Sequence, residues 1–448
     1  MSELNYSIDW LASGSSDPIV RDTSAQFAIY LSSMCLTRNV DIWSKTLRDS
    51  IYVSVYPLAL WLAGSWWRLN YEPLPATGIR PSLSWRMAHE LGAANHGYVW
   101  PRILFVPDGE SMSLWSEPVS TPGQSVNYTS VPDMPRPVAL EEFQYKTDAF
   151  IDEVISRLYA TGQTQTDLNS LWTLIKEDRA NPECARIRQL EAQMGFDPEE
   201  CPPSIIEEAL RLQQSTGQAA MSELAPVFGE NVRKIRSLDE VSGLRGRPSE
   251  CLYEKVTFWH GQPWEQGMAA AKQLSKDIGL SQDCVPDKIL LDLLGITESQ
   301  MSGWSPSENI PAAVVKPVLS GSWDMIFRKR HPLSRRFEWA RFLGDLLSRP
   351  TSEEGWLVSS DLTTARQKRQ RSFAAEFLCP IDALLAFLDG DYSESAQESA
   401  AEHFQVSEKT IETLPMNHGY TDRRVETQLP YRLVTNERTM KYQGAEGA

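Results

Sequence analysis

Two short stretches concentrate positive charge in a chain that is otherwise acidic. Arg328, Lys329, Arg330, Arg335, Arg336 and Arg341 form one block, and Arg366, Lys368, Arg369 and Arg371 form a second. Guanidinium groups at this density suit carboxylates and phosphates, which a planar fork grips through two parallel hydrogen bonds. If the blocks converge, Arg335, Arg336, Arg341, Arg369 and Arg371 would line a groove for an anion or a peptide. The competing arrangement pairs Arg341 with Asp345 one helical turn on and leaves the rest as a solvated face.

Metal chemistry has less to work with. A zincin helix holds its ion between two imidazoles at i and i+4, with a neighbouring Glu as general base for the bound water. His89, His96, His260, His331, His403 and His418 provide no such pair. The segment AHELGAANH, Ala88 to His96, comes nearest, but Ala93 stands at i+4 from His89. His96 would lie about 10.5 Å further along a helix rising 1.5 Å per residue, too far to share one ion. The six Cys form no C-x-x-C pair, which disfavours a zinc ribbon or a disulfide framework and fits a reducing cytosol. No G-x-S-x-G elbow, papain-type Cys segment, Walker A loop or Rossmann fingerprint occurs. Neither a cofactor nor a metal is expected, unless ligands come together from distant parts of the chain.

The elements that must position the basic blocks belong to a chain of 448 residues, long enough for two or three folded units. Hydrophobic residues at 42% support real cores, and a formal net charge of −16 repels phosphate backbones. Residues 1–145 read as a small α+β domain. QFAIYLSSMCL and RDSIYVSVY alternate like antiparallel strands, PLALWLAGSWWRL reads as a helix opening at Pro57, and RILFVPDG and VNYTS read as strands. The stretch Tyr52–Trp67 is too short to span a bilayer and contains Pro57, so it is assigned to the core. Trp61, Trp66, Trp67, Trp85 and Trp100 suit that core, with a flat aromatic docking surface as the alternative. Residues 146–254 have helical spacing throughout. Residues 255–425 alternate amphipathic helices with a strand, AAVVKPV, and include a helix expected from an N-cap at Ser334 to Leu347. Residues 426–448 read as a poorly ordered tail. The fold class is therefore α+β, with a mainly helical C-terminal domain. The opening MSELNYSIDW has no apolar core of an export signal, so a cytoplasmic location is expected.

The order of elements from Trp264 to Tyr420 resembles the ImmA/IrrE (DUF955) family, zinc metallopeptidases that cleave repressors in mobile elements and stress regulons. RRFEWARFLGD, Arg335 to Asp345, is similar to that family's signature helix, approximately RRFTLAHELGH. RQKRQRSFAAEFLCP, Arg366 to Pro380, resembles its second block, where a Glu ligand precedes an A-N-x-F-A-A-x-L-L-M-P run. The resemblance implies a zincin-like C-terminal domain. It places Arg341 at the first His position, Phe342 at the general-base position and Asp345 at the second His position. Gln367, Lys368, Arg369, Gln370 and Arg371 stand where the third-ligand Glu would precede the second block. A phenyl ring takes no proton, and a fixed guanidinium charge opposes a dication. The resemblance thus implies a bacterial pseudoenzyme, a regulatory component that binds a protein or peptide in a repressor, toxin or phage-defence setting. Phe337, Leu343, Phe373 and Phe377 would keep its scaffold packed. Two alternatives stand beside it: an active zinc endopeptidase with non-standard ligands, and a DNA-associated regulator. The latter would read through AAEHFQVSEKTIETL, which resembles a helix-turn-helix with Ala400, Phe404, Val406 and Ile411 inward, or is simply a closing helical turn.

Overall fold

The computed structural model describes residues 3–75, 80–120, 123–129, 137–252, 260–280, 284–306, 310–318, 321–349 and 355–421, with backbone alone over 229–237. The expected tail, 426–448, lies outside the described residues. The protein is α+β, with antiparallel sheets and a mainly helical C-terminal part.

The first sheet joins β1 (Leu4–Trp10), β2 (Ser24–Leu31), β3 (Met34–Cys35) and β6 (Ile51–Ser54), all antiparallel. Between β1 and β2, Pro18 opens the short helix α1 (Pro18–Asp22), and the Asp17 carboxylate accepts from the Ile19 and Val20 amides. A second small sheet sets β4 (Asn39–Asp41) between β5 (Leu47–Arg48) and β9 (Val126–Tyr128). A third places β8 (Ser111–Glu117) between β7 (Arg102–Pro107) and β10 (Val138–Ala139). The helix expected from Pro57 is in fact two, α2 (Tyr56–Gly64) and α3 (Trp66–Tyr71), hinged at Ser65; α4 (Leu83–His89) follows. Burial on nearly every side of α2 and α3 leaves no polar face to mark their register.

The helical run then divides between two cores. Helices α5 (Leu140–Ala160), α6 (Asp167–Ala180) and α7 (Pro182–Gln193) bury Phe143, Phe150, Trp172 and Ala192 with Phe27, Trp66 and Phe105 of the first sheets and helices. Helices α8 (Pro203–Thr216) and α9 (Gln218–Glu240) instead pack Leu212, Leu224 and Phe228 on Val314, Ile326 and Val358. Those three residues belong to a four-stranded antiparallel sheet of β11 (Leu244–Gly246), β13 (Ser322–Ile326), β12 (Ala313–Val318) and β14 (Leu357–Ser359), in that spatial order. Alternation along β12 sends Ala313 and Val315 to the opposite face.

That face is covered by α10 (Pro263–Asp277), α11 (Asp287–Leu294), α12 (Glu298–Ser302), α13 (Pro332–Ser348) and α14 (Ala365–Leu378). The chain continues through α15 (Ile381–Leu388), α16 (Glu394–Phe404) and α17 (Glu408–Asn417). Two glycines set the closest crossings. A Cβ at Gly344 of α13 would strike the Phe373 ring of α14, and one at Gly267 of α10 would strike Ser372 and the Arg369 carbonyl. Helix α14 is therefore gripped between α10 and α13. Helix α13 begins at Pro332, not after a Ser334 cap, because proline fills the first turn where no amide partner is needed. It is buried almost all round from Arg336 to Leu346, with charged side chains enclosed among the apolar ones.

Candidate functional site

Helices α13, α14 and α17, with Trp264 and Met268 of α10, enclose a cleft of about 760 Å³. Five cationic side chains line it, Lys329, Arg341, Lys368, Arg371 and Lys409, beside two carboxylates, Glu338 and Asp361. The two acids are already partnered. Arg328 grips both Asp361 oxygens at 2.6 and 2.8 Å, and the Arg328 and Lys329 amides donate to Glu338 at 2.9 and 3.3 Å. Burial pushes Glu338 above the ordinary carboxylate range, and these amides with the Arg328 and Arg341 charges reverse only part of it. At Asp361 burial acts upward too, but the Arg328 hydrogen bonds and charge outweigh it and hold the carboxyl low.

Arg341 is only 5% exposed. Its Nη2 donates to the Ser360 carbonyl at 2.8 Å and to Gln367 Oε1, while its buried Nε has no partner. Burial, together with the neighbouring Arg371 and Arg328 charges, pulls its guanidinium down to about 9, which leaves it charged at neutral pH. Arg371 donates through Nη2 to the Leu362 carbonyl at 2.6 Å, and burial lowers it as well. Neither arginine forms an ion pair among the described residues.

Of the five arginines expected to form a groove, then, Arg341 and Arg371 line this cleft. Arg335 turns back over the Trp339 ring, its guanidinium carbon 5.2 Å from the centroid. Arg336 is buried against Asp287 and donates to the Val285 carbonyl at 2.7 Å. Arg369 pairs with Glu110 at 2.6 Å and lines a separate cavity of about 470 Å³ on the other side of α14. The pairing of Arg341 with Asp345 does not form. Asp345 accepts instead from Arg366 Nε at 2.9 and 3.2 Å and from its Nη2 at 2.9 Å, facing the smaller cavity. Arg341 turns the opposite way, toward the cleft.

These contacts also test whether the turn fits the zinc that the resemblance implies. Phe342 lies in the core, fully buried, with its ring 6.0 Å from that of Phe327. Asp345 is committed to Arg366, and Arg341 brings a guanidinium to the first-ligand position. The residues do not fit the ion. Among the described residues no three His, Cys, Asp or Glu side chains are grouped so that they could hold a metal. His89 is buried with Nδ1 3.1 Å from the Phe105 carbonyl oxygen and Nε2 3.1 Å from Glu72, stacked on Trp85. Glu90 pairs with Arg86, so His89, Glu90 and His96 form no common site. Trp66, Trp67, Trp85 and Trp100 are likewise core residues.

The α16–α17 unit has the compactness of a helical turn, with Gln405 left-handed at φ 53° and Ser407 capping Thr410. Ala400, Phe404, Val406 and Ile411 point inward as expected. Lys409, Thr410 and Thr413 are cleft walls, and His418 Nε2, 3.0 Å from Glu376 Oε2, ties the end of α17 to α14. Sequence reasoning missed Trp264 and Asp361 as cleft residues, because only tertiary folding brings α10 and the loop after β14 beside α13, and it missed Glu338, one turn before Arg341 on α13 itself. Comparison with family models, curated proteins and solved structures returns no match to the chain. No helix among the described residues is long and apolar enough to cross a membrane.

Proposed function

We propose that residues from Trp264 to Tyr420 form a degenerate ImmA/IrrE-type domain that binds a protein or peptide partner and does not cleave it. The observation that carries this reading is the turn Arg341–Phe342–Asp345. A guanidinium, a core phenyl ring and a carboxylate held by Arg366 occupy it, beside a cleft large enough for a few peptide residues. In this reading the family's cleft has kept its shape and exchanged metal ligands for positive charge. By analogy with the family, the partner is a repressor, a toxin or a phage-defence component of a bacterial cytoplasm, and the protein is a regulator. That analogy supplies the setting only, since a fold hosts many functions.

The test joins metal analysis to partner capture. Protein purified without added zinc is expected to hold far less than one equivalent, and a partner recovered on it from host extract is expected to remain uncut after prolonged incubation with zinc. Stoichiometric zinc accompanied by cleavage of that partner would overturn the proposal.

A further inference from the structure

The cleft contains an electrostatic mismatch that specifies its ligand more closely. Glu338 and Asp361 are hydrogen-bonded by Arg328 and its neighbours, so they offset the adjacent Arg341 and Arg371 only through space, and neither arginine has a carboxylate in direct contact among the described residues. Both hydrogens of Arg341 Nη2 are used by neutral acceptors and its buried Nε has no partner, which leaves Nη1 to meet an anion. A buried charge in this condition is costly, and an anion seated between two guanidinia relieves it. Around them the wall is mixed, with Trp264, Met268, Leu333, Phe337 and Leu414 beside Lys329, Lys368, Lys409, Thr410 and Thr413.

Resting on the proposed binding role, we infer that the cleft takes the carboxylate of an apolar peptide, anchored by Arg341 and Arg371. Two observations favour a peptide carboxylate over a nucleic-acid phosphate. Trp264, Met268, Leu333, Phe337 and Leu414 offer contacts to apolar peptide side chains, which a sugar-phosphate backbone lacks. The chain's net charge of −16 repels a polyanion approaching from any distance. The carboxylate has two sources, a peptide C-terminus or an internal Asp or Glu, and both present the same atoms to the arginines.

Fluorescence anisotropy with the full-length protein separates these. The probes are three mixtures of Gly-Gly-X-Z tetrapeptides with apolar Z, labelled with an uncharged boron-dipyrromethene dye: one with free C-termini and neutral X, one amidated with neutral X, and one amidated with X fixed as Glu. Binding of the first or the third is expected to exceed that of the second at least about tenfold. The stronger of the two names the source. R371Q and R341Q should each abolish most of that preference, with R371Q informative if the more buried R341Q fails to fold. T413W, which fills the cleft and leaves both arginines, should weaken binding comparably. Equal binding of amide and acid mixtures, absence of binding up to about 1 mM, or an acid preference that survives in R371Q and T413W would overturn the inference. An uncut captured partner that binds R371Q as well as wild type would sink the carboxylate anchor and leave the non-proteolytic reading standing.

Discussion

At the residue scale the buried charges are the informative features, because each needs partners, and the local sequence supplies only some of them. Glu72 shows the rule in the N-terminal core. Burial would raise its carboxyl, but His89 and the paired Arg68, which donates at 2.8 and 3.2 Å, reverse this and hold it below the ordinary range. A depressed carboxyl stabilises the fold above its unfolded pKa of about 4.3 and loses that contribution as pH falls through the lower folded value. Urea titrations from pH 7 to pH 3 should therefore show stability falling at the acid end. E72Q should flatten that decline and cost about 3 kcal/mol at pH 7, since it leaves the buried Arg68 with only the longer 3.6 Å contact to Asp197 as a charge partner. Phe342 supplies the apolar counterpart. With its ring packed on Phe327, F342A should cost about 4 kcal/mol in the same assay. A cost under about 1 kcal/mol would show that this position is not part of the core.

At the scale of elements, α14 carries the cleft, and its placement depends on the two glycine contacts with α10 and α13. Glycine to alanine in an exposed helix interior stabilises by about 1 kcal/mol. At Gly344 the sign should reverse, because the new methyl meets the Phe373 ring and forces α13 and α14 apart. G344A is expected to destabilise by about 2 kcal/mol and G344V by more, measured as a fall in thermal midpoint. Both should weaken tetrapeptide binding, since Arg341 and Arg371 sit on the two helices being separated. Retention of wild-type stability in G344A would mean that the interhelical gap is soft. Much at this level was legible in the sequence. The interruption of α14 and α15 at Pro380, the helix α10 and the strand β12 all follow from spacing and breakers. The strands β11, β13 and β14 did not: β13 and β14 are buried on both faces and carry no alternation, and the three residues of β11 are too few to show a period.

For the molecule as a whole, α14 also joins the C-terminal region to the first. Its Lys368 reaches Asp108 at 2.6 Å, Arg369 reaches Glu110 at 2.6 Å, and the Ala365 amide donates to the Asp108 carbonyl at 2.8 Å. Asp108 is buried and also accepts from the Ser111 amide and hydroxyl. D108A should cost about 2 kcal/mol by leaving these donors unmatched. It should also separate the unfolding transitions of the two regions, seen as non-coincident urea curves by tryptophan fluorescence and circular dichroism. A single coincident transition in D108A would show that the regions are held together by other contacts.

Composition, helix spacing and turn residues were enough to assign the α+β class, the helical stretches and the concentration of guanidinium groups near α13 and α14, because each depends on neighbours within a few positions. The sequence by itself also put a guanidinium, a phenyl ring and a carboxylate on one turn of one helix. Which of the basic residues would face a common cleft was decided only by the tertiary structure. The direction of a charged side chain follows from which partner lies within reach: Asp345 goes to Arg366, Arg369 to Glu110 and Arg336 to Asp287, all from other elements. Arg341 and Arg371 remain for the cleft because the carboxylates nearest them among the described residues are taken by other donors, Glu338 and Asp361 by Arg328 and Glu223 by Thr364 and Ser360.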